Sequence, residues 1–467
     1  MARKDRDFTS GSSLGNVLYM GIPSMIGFAA TNAYALIDIF WIGLLGKEQV
    51  AAITLFQAFA FVLSSTNMLI GSGSVAIISR RFGAKDLTAT RDVIRQTILL
   101  KLMVAVTFGS IGFFLVDEIL SIMDAEASVL SYGIEYGLYY MAGLPFIFTS
   151  FTMFTALRGI GQAPRAMRLM LSMTALNLVL DPILILDKMP RALTMAGLRI
   201  IPEGMHIGFG LGIKGAAIAR AISTFICVIG GIWMLRHGTA DFRFGLLHGF
   251  RPNFEIMLRI IKIGIPPGIQ NVLRNVMNFV TTYFVALFGT TVVASFGFSF
   301  RILQMMTIFS IGLSLGTSAI VGMNLGAGKP DKASSAVRTS VLIVAGLVGL
   351  IGIVIVLFAP YLMSVFTVDA DVIEVGIPAL RIMVIGQIMI AIRMVVLSAF
   401  NGSGNTWPPA AISAIGQSFR IALIAMLIYV FNTDQIGIWW AFSIAATIET
   451  TIAFIWFSKG HWKHREV

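Results

Sequence analysis

Cysteine occurs once in 467 residues, at Cys227 inside an apolar run. A single thiol can build neither an internal disulfide framework nor a cysteine-based metal site. Histidine is also scarce: His206, His237, His248, His461 and His464 all fall in loops, segment edges or the tail. None of them forms the HExxH pair of a metal-assisted hydrolase. Charged residues make up only 12% of the chain, against roughly 25% in a soluble protein. Among so few polar residues no nucleophile–base set stands out, so neither an enzyme nor a cofactor is expected. "SRRFGAKD" and "MNLGAGKP" look like phosphate loops only superficially. The first lacks the Walker spacing and the second has no GK[ST], so both read as turns. No cleavable signal peptide is expected, because Met1–Ser13 is polar and the run after it is too long.

What is present in excess is hydrophobicity, at 57% of residues. Spanning a bilayer takes about 20 apolar residues, and twelve such segments are expected. They lie near 14–45, 50–79, 93–116, 128–157, 168–186, 212–235, 255–288, 291–321, 338–358, 372–400, 410–431 and 436–457. Basic residues orient them. Arg3, Lys4 and Arg6, then Arg80, Arg81, Lys85 and Arg91, then Arg158, Arg165 and Arg168 fall in alternate loops. Arg236, Arg243 and Arg251, Lys329 and Lys332, and Lys459, Lys463 and Arg465 continue the series. The opposite loops are short or acidic, with Asp117, Glu118, Asp124, Glu126, Asp369, Asp371 and Asp434. Both termini should therefore be cytoplasmic. The net charge of +11 then belongs to basic loops on that face rather than to a nucleic-acid surface. One loop breaks the rule: 187–211 faces outward yet holds Lys188, Arg191 and Arg199, with Pro190 and Pro202. It reads as an extracellular insertion.

The two halves align at a constant offset of 243 residues. Pro23 matches Pro266, Gly46 matches Gly289, and Gly73 matches Gly316. "GAKD" at Gly83 matches "GAGK" at Gly326, and "RGIGQ" around Gly159 and Gly161 matches "NGSGN" around Gly402 and Gly404. Each half has an even number of spans, so both enter from the same side and the repeats are parallel. The expected fold is an all-α membrane protein, twelve transmembrane helices in two parallel six-helix repeats around a central cavity. The divisions are a tail at 1–13, an N-lobe at 14–236 that includes the 187–211 insertion, a linker at 237–254, a C-lobe at 255–457 and a tail at 458–467.

Two spans of the N-lobe carry the same polar stripe. The first has Thr31, Tyr34 and Asp38, and the fifth has Thr174, Asn177 and Asp181, immediately before Pro182. Residues three or four apart share a helix face. A carboxylate at membrane depth costs about 2.5–3.5 kcal/mol on insertion scales and is functional by default. At about 1.5 Å per residue both aspartates fall at a similar depth in the outer half. Such a pair can hold a proton on one side and release it on the other. Alternatively Asp38, Asp181 and Asn177, with Thr174, could coordinate Na⁺. Pro23 and Pro182 are candidate hinges, since proline removes a backbone donor.

The offset takes Thr31, Tyr34 and Asp38 to Arg274, Met277 and Thr281, and it takes Thr174, Asn177 and Asp181 to Gln417, Arg420 and Ile424. The carboxylates vanish and two arginines appear, so the coupling site is confined to the N-lobe. Arg274, Arg420, Gln417, Met277 and Gln57 are candidates for the cavity wall. Arg220, in the sixth span, should reach the depth of the two aspartates and pair with one of them. Arg301 and Arg393 are read as donors to helix carbonyls, and Glu449 as the partner of a C-lobe arginine.

These features resemble the multidrug and toxic compound extrusion (MATE) family across essentially the whole chain. The resemblance rests on the two six-span repeats, Pro23, "LRGIGQAPRAM", "LNLVLDPILI" and "GIKGAAIA". It implies a V-shaped pair of lobes and export of organic, often cationic, compounds driven by H⁺ or Na⁺. Asp38 and Asp181 with Asn177 and Tyr34 look like the N-lobe cation site of the prokaryotic DinF-like branch. The glutamate that other branches carry in the seventh span would fall at Arg274 and is missing. Arg220 stands where DinF-like members tend to have threonine.

The expected function is therefore a cation-coupled efflux antiporter working by alternating access, with H⁺ favoured over Na⁺. The alternative is a flippase of lipid-linked intermediates from the same broad superfamily. Expected partners are an amphipathic, often cationic small molecule and the lipid bilayer, with no nucleic acid, and the protein should be a monomer. The expected location is the plasma membrane of a prokaryote, the inner membrane if Gram-negative.

Overall fold

The structure, a computed structural model, describes residues 6–123, 125–188, 206, 208–237 and 251–465. Most of the 187–211 insertion, including Pro190, Arg191, Arg199 and Pro202, and most of the 237–254 linker lie outside the described residues. The N-lobe is built from α1 (Ser13–Gly43), α2 (Lys47–Gly83), α3 (Leu87–Ser121), α4 (Ala127–Gly159), α5 (Ala163–Ile185) and α6 (Ile213–Arg236). The C-lobe is built from α7 (Phe254–Ala286), α8 (Thr290–Gly326), α9 (Pro330–Leu357), α10 (Ala359–Phe366), α11 (Ala370–Ser403), α12 (Trp407–Tyr429) and α13 (Ile436–Ser458). Short polar residues start several of these helices by accepting from free backbone N–H groups. Ser12 caps α1, Asp86 caps α3, Asn253 caps α7 and Asp369 caps α11.

Among the described residues, eleven helices are long and apolar enough to cross a membrane. The twelfth long helix, α7, has 33 residues but carries Glu255, Arg259, Lys262 and Arg274, which lower its apolar character. The expected twelve spans thus correspond to twelve long helices, of which α7 is the polar one. The eight-residue α10, begun by Pro360, was not expected; it turns the chain between α9 and α11. Large apolar side chains such as Phe114, Leu342 and Leu350 are exposed. A lipid-facing surface has that character, because only the bundle interior needs internal partners.

The repeat is visible in backbone geometry as well as in sequence. α2 and α8 begin and end at positions 243 residues apart, Lys47 with Thr290 and Gly83 with Gly326. Positive φ angles recur at the same offset: Gly46 and Gly289, Lys85 (61°) and Gly328 (70°), Gly161 (77°) and Gly404 (78°). At Lys85 a lysine adopts the left-handed conformation that glycine takes freely in the other half. Inter-helix packing repeats too, with α2 on α4 and α3 on α4 in the first lobe, and α8 on α11 and α9 on α11 in the second.

The contacts that join the lobes cluster at the end of the bundle carrying both termini. A Cβ on Gly83 would fall on the backbone of Met323, and one on Gly326 would fall on the backbone of Arg80. These are one contact made twice, since 80 and 323 are also repeat mates. Gly73 meets Ile260 and Gly264 of α7, while Gly316 meets Met20 and Gly21 of α1, again in matched fashion. The N-terminal residues seal the same end. Phe8 is buried, its carbonyl accepts from Asn16 (3.3 Å) and Asn324 (3.2 Å), and Lys329 donates to Thr9 (2.9 Å). At the other end Leu36 and Phe40 of α1 and Phe279 and Tyr283 of α7 stay exposed. The result is two lobes closed at the base, in keeping with the V-shaped pair that the resemblance implies.

Candidate functional site

The N-lobe site forms where α1, α5 and α6 meet α4. Its outer wall is fixed by backbone chemistry at the end of α5. Pro182 offers no N–H, and the helix stops one turn later at Ile185. The free carbonyls of that last turn are taken by the incoming strand of chain: Phe209 N–H donates to Ile183 (2.8 Å), Leu211 to Leu184 (2.9 Å) and Gly212 to Ile185 (3.0 Å). Gly215 then lies so close to the backbone of Leu184 that a Cβ would come within 2.6 Å of its oxygen. This clamp sets α6 against α5, and it puts Arg220 about two turns below the start of α6, within reach of Asp38 on α1. α1 runs unbroken through Pro23 from Ser13 to Gly43.

Tyr34, Asp38, Asn177 and Asp181 are all buried, and Asp181 is wholly so. Arg220 Nη2 lies 3.4 Å from Asp38 Oδ2, and Arg220 Nε and Nη2 both donate to Tyr34 Oη at 3.3 Å. The guanidinium sits 5.2 Å from the Tyr34 ring centre and 5.9 Å from that of Tyr140. The expected pairing of Arg220 with one of the aspartates is therefore present, and its partner is Asp38. Asp38 and Arg220 are both within electrostatic reach of Asp181. No hydrogen bond of normal geometry satisfies either carboxylate oxygen of Asp181, Asp38 Oδ1, Asn177 Nδ2 or Thr174 Oγ1. Thr31 is spent on its own helix, donating to Phe28 at 2.9 Å. Gln57 is exposed on α2.

The matching region of the C-lobe is cationic. Gln417 and Arg420 are buried on α12, and Gln417 donates to Glu449 Oε1 at 3.1 Å. Arg393 forms a buried ion pair with Glu449. The reading of Arg393 as a donor to helix carbonyls is thus corrected: a carboxylate on α13 lies in its path, and an ion pair compensates a buried charge better than a carbonyl dipole does. Glu449 does pair with an arginine, as expected. Arg301 is exposed on α8. Arg274 is exposed on α7 and donates to Asn271 at 2.7 Å, and Met277 is half-buried one turn further along.

Sequence reasoning missed Tyr136 and Tyr140, which face Arg220 from α4. Their spacing of four in "EYGLYY" was a readable signal. It also missed Lys101, which is fully buried with its amine 4.6 Å from the Phe151 ring centre.

The MatE family model matches residues 23–183 and again 266–426, two stretches separated by the same 243-residue offset. Multidrug export protein MepA of Staphylococcus saprophyticus is 28% identical over 453 residues, covering 94% of this chain and 92% of that protein. MepA of Staphylococcus haemolyticus is 26% identical over 444 residues, covering 94% and 92%. Probable multidrug resistance protein YoeA of Bacillus subtilis is 22% identical over 457 residues, covering 97% and 92%. Among solved structures, MATE in complex with MaD3S superposes with a TM-score of 0.86 at 23% identity, covering 98% of both chains. An outward-facing multidrug resistance MATE family transporter superposes at 0.85 with 23% identity and the same coverage. These relatives do not favour the flippase alternative. With its model matched in both halves and its two-lobed helical fold shared throughout, the chain belongs to the MatE family and is a multi-pass membrane transporter, not an enzyme.

Proposed function

We propose that the protein exports amphipathic organic compounds in exchange for protons, by alternating access, with the coupling site in the N-lobe. Names of the curated relatives support drug export, and the charge balance of the N-lobe site supports the coupling. When both Asp38 and Asp181 are ionised, they contribute two negative charges against the one positive charge of Arg220, so the unprotonated site carries a net charge of −1. A buried net charge is costly, because desolvation is not repaid. One proton makes the site neutral, and so does one organic cation. Either can be carried through a closed state, but both together would leave the site charged again. That exclusivity is what antiport requires.

The position of Arg220 favours H⁺ over Na⁺. A guanidinium 3.4 Å from Asp38 occupies the space and the charge that a metal cation would need there. A proton needs no coordination shell and can settle on a carboxylate oxygen of Asp181, which is buried beside Asn177 on the same helix face. With the termini cytoplasmic, as the basic loops argue, the closed base is the inner gate and the open end faces outward. In that state outside protons reach the site and substrate leaves.

The test uses purified protein in vesicles with an imposed pH gradient and a fluorescent cationic substrate. Asp38→Asn and Asp181→Asn each bring the unprotonated site to neutrality, so each should abolish proton-driven uptake while leaving the fold intact. Wild-type transport against a gradient by either variant, or transport driven by a Na⁺ gradient alone, would refute the assignment.

A further inference from the structure

The N-lobe site has a counterpart of opposite sign in the C-lobe. By repeat position Arg274 stands for Thr31, Gln417 for Thr174 and Arg420 for Asn177. Three guanidiniums gather there: Arg393 and Arg420 line one cleft, and Arg274 lies one helical turn from Asn278, which Arg420 engages. The one carboxylate among them, Glu449, is already engaged by Arg393 and Gln417. The cluster therefore carries a net charge of +2, and neither Arg274 nor Arg420 has a carboxylate partner among the described residues.

Arg420 is not explained as a structural donor. It is 5% exposed, and one terminal nitrogen donates to Asn278 at 3.1 Å. Its Nε has no partner. Nor does the Oε1 atom of Gln417. An arginine stays charged under ordinary conditions and presents a planar fork suited to a carboxylate. A narrow cleft of about 10 Å³ lies against it, lined by Arg393, Gln417, Arg420, Phe442 and Glu449. Space of that size holds roughly one water-sized group, so it suits a single carboxylate oxygen rather than a whole molecule. The approach leads from between the lobes. Exposed Arg274 is bonded to Asn271, whose amide touches Met68 Sδ of the N-lobe at 3.4 Å.

We propose that the C-lobe holds an anion subsite, built on Arg420 with Arg274 at its mouth, that takes the carboxylate of a zwitterionic amphipathic substrate. The cationic end of that substrate then faces the N-lobe, which carries the net negative charge. The inference rests on the export reading for its ligand class, but not on the identity of the coupling ion.

Two forms of one cationic xanthene dye test it, the free carboxylic acid and its methyl ester. Binding is read by fluorescence anisotropy with purified protein in detergent, where no ion gradient exists. Failure here therefore leaves proton coupling untouched, and failure of coupling leaves this assay readable. Wild type should bind the acid about tenfold more tightly than the ester, equivalent to about 1.4 kcal/mol. Arg420→Gln and Arg274→Gln should each remove most of that preference and change ester affinity by less than about twofold, because charge-assisted hydrogen bonds are lost only for the acid. Arg274 is exposed, so its variant tests the idea even if Arg420→Gln fails to fold. Equal wild-type affinity for the two dyes, or equal losses for both in the folded variants, would overturn the proposal.

Discussion

Placing a methyl group at Gly83 or Gly326 should open the base of the V. A Cβ at Gly83 would come within 2.6 Å of Met323 Cα, about 0.8 Å short of the 3.4 Å at which ordinary contact begins. The obstructing atoms belong to a helix backbone and cannot rotate away. Gly326 has the same problem against Arg80, with a Cβ 2.8 Å from its carbonyl carbon. The alternatives are to strain two helices or to part them. Overpacking of this kind costs about 1–3 kcal/mol. Because the contact joins two lobes rather than the core of one, the cost falls on the closed-base state alone. A bias of 1–3 kcal/mol changes a two-state population by about 5- to 150-fold.

Spin labels report this shift directly. With the single buried Cys227 replaced, cysteines at Thr88 and Lys332, both exposed near the base, would carry one label on each lobe. Double electron–electron resonance on the unsubstituted background should give mainly a short distance. Gly83→Ala and Gly326→Ala should each move most of the distribution to longer values. Gly346→Ala supplies the control, since a Cβ there meets nothing within 4 Å. If either interface variant kept the short distance and wild-type thermal stability, the close approach would not be a gate, and the argument from backbone contact would be wrong.

Two other outcomes follow from buried charges. Arg220→Thr leaves Asp38 without its cation, so the purified variant should unfold at a lower temperature than wild type at alkaline pH and recover as acid protonates the carboxylate; an equal loss at every pH would make Arg220 a packing residue only. Glu449→Gln strands Arg393 in the C-lobe and should cost about 3–5 kcal/mol, whereas adding Arg393→Met should restore much of the thermal stability; a double variant no more stable than Glu449→Gln would show that the pair is not the source of the loss.

The sequence made the repeat legible because glycine and proline mark backbone geometry, and backbone geometry is what the two lobes share. The offset of 243 recurs in helix limits, in left-handed turns and in the reciprocal glycine contacts. The polar stripes of α1 and α5 were legible because a helix turns a spacing of four into a shared face. What lay beyond reach was the choice among partners on different helices. Whether Arg220 would meet Asp38 or Asp181 depends on the register of α6 against α5. That register is set by hydrogen bonds from 209–212 to the last carbonyls of α5, across an insertion that has no counterpart in the second half. Arg393 was misread for the same reason, since its partner Glu449 is 56 positions away on another helix.

The symmetric and asymmetric parts of the molecule divide along functional lines. Positions that bring the lobes together at the base are matched between halves, down to Gly83 with Met323 and Gly326 with Arg80. A symmetric contact can close and reopen without favouring either lobe, which suits a gate. Positions that face inward at the stripes are not matched: Asn177 and Arg420, or Thr31 and Arg274, differ in charge at the same place in the repeat. If the lobes carried identical sites, substrate and ion would compete equally for both. On the proposed reading, an unprotonated N-lobe site of −1 and a C-lobe cluster of +2 would give a bound molecule a preferred orientation. Only its cationic end then competes with the proton. On the proposed reading, coupling in one lobe and recognition in the other would follow from divergence at a few stripe positions, on a backbone whose two halves still pack alike.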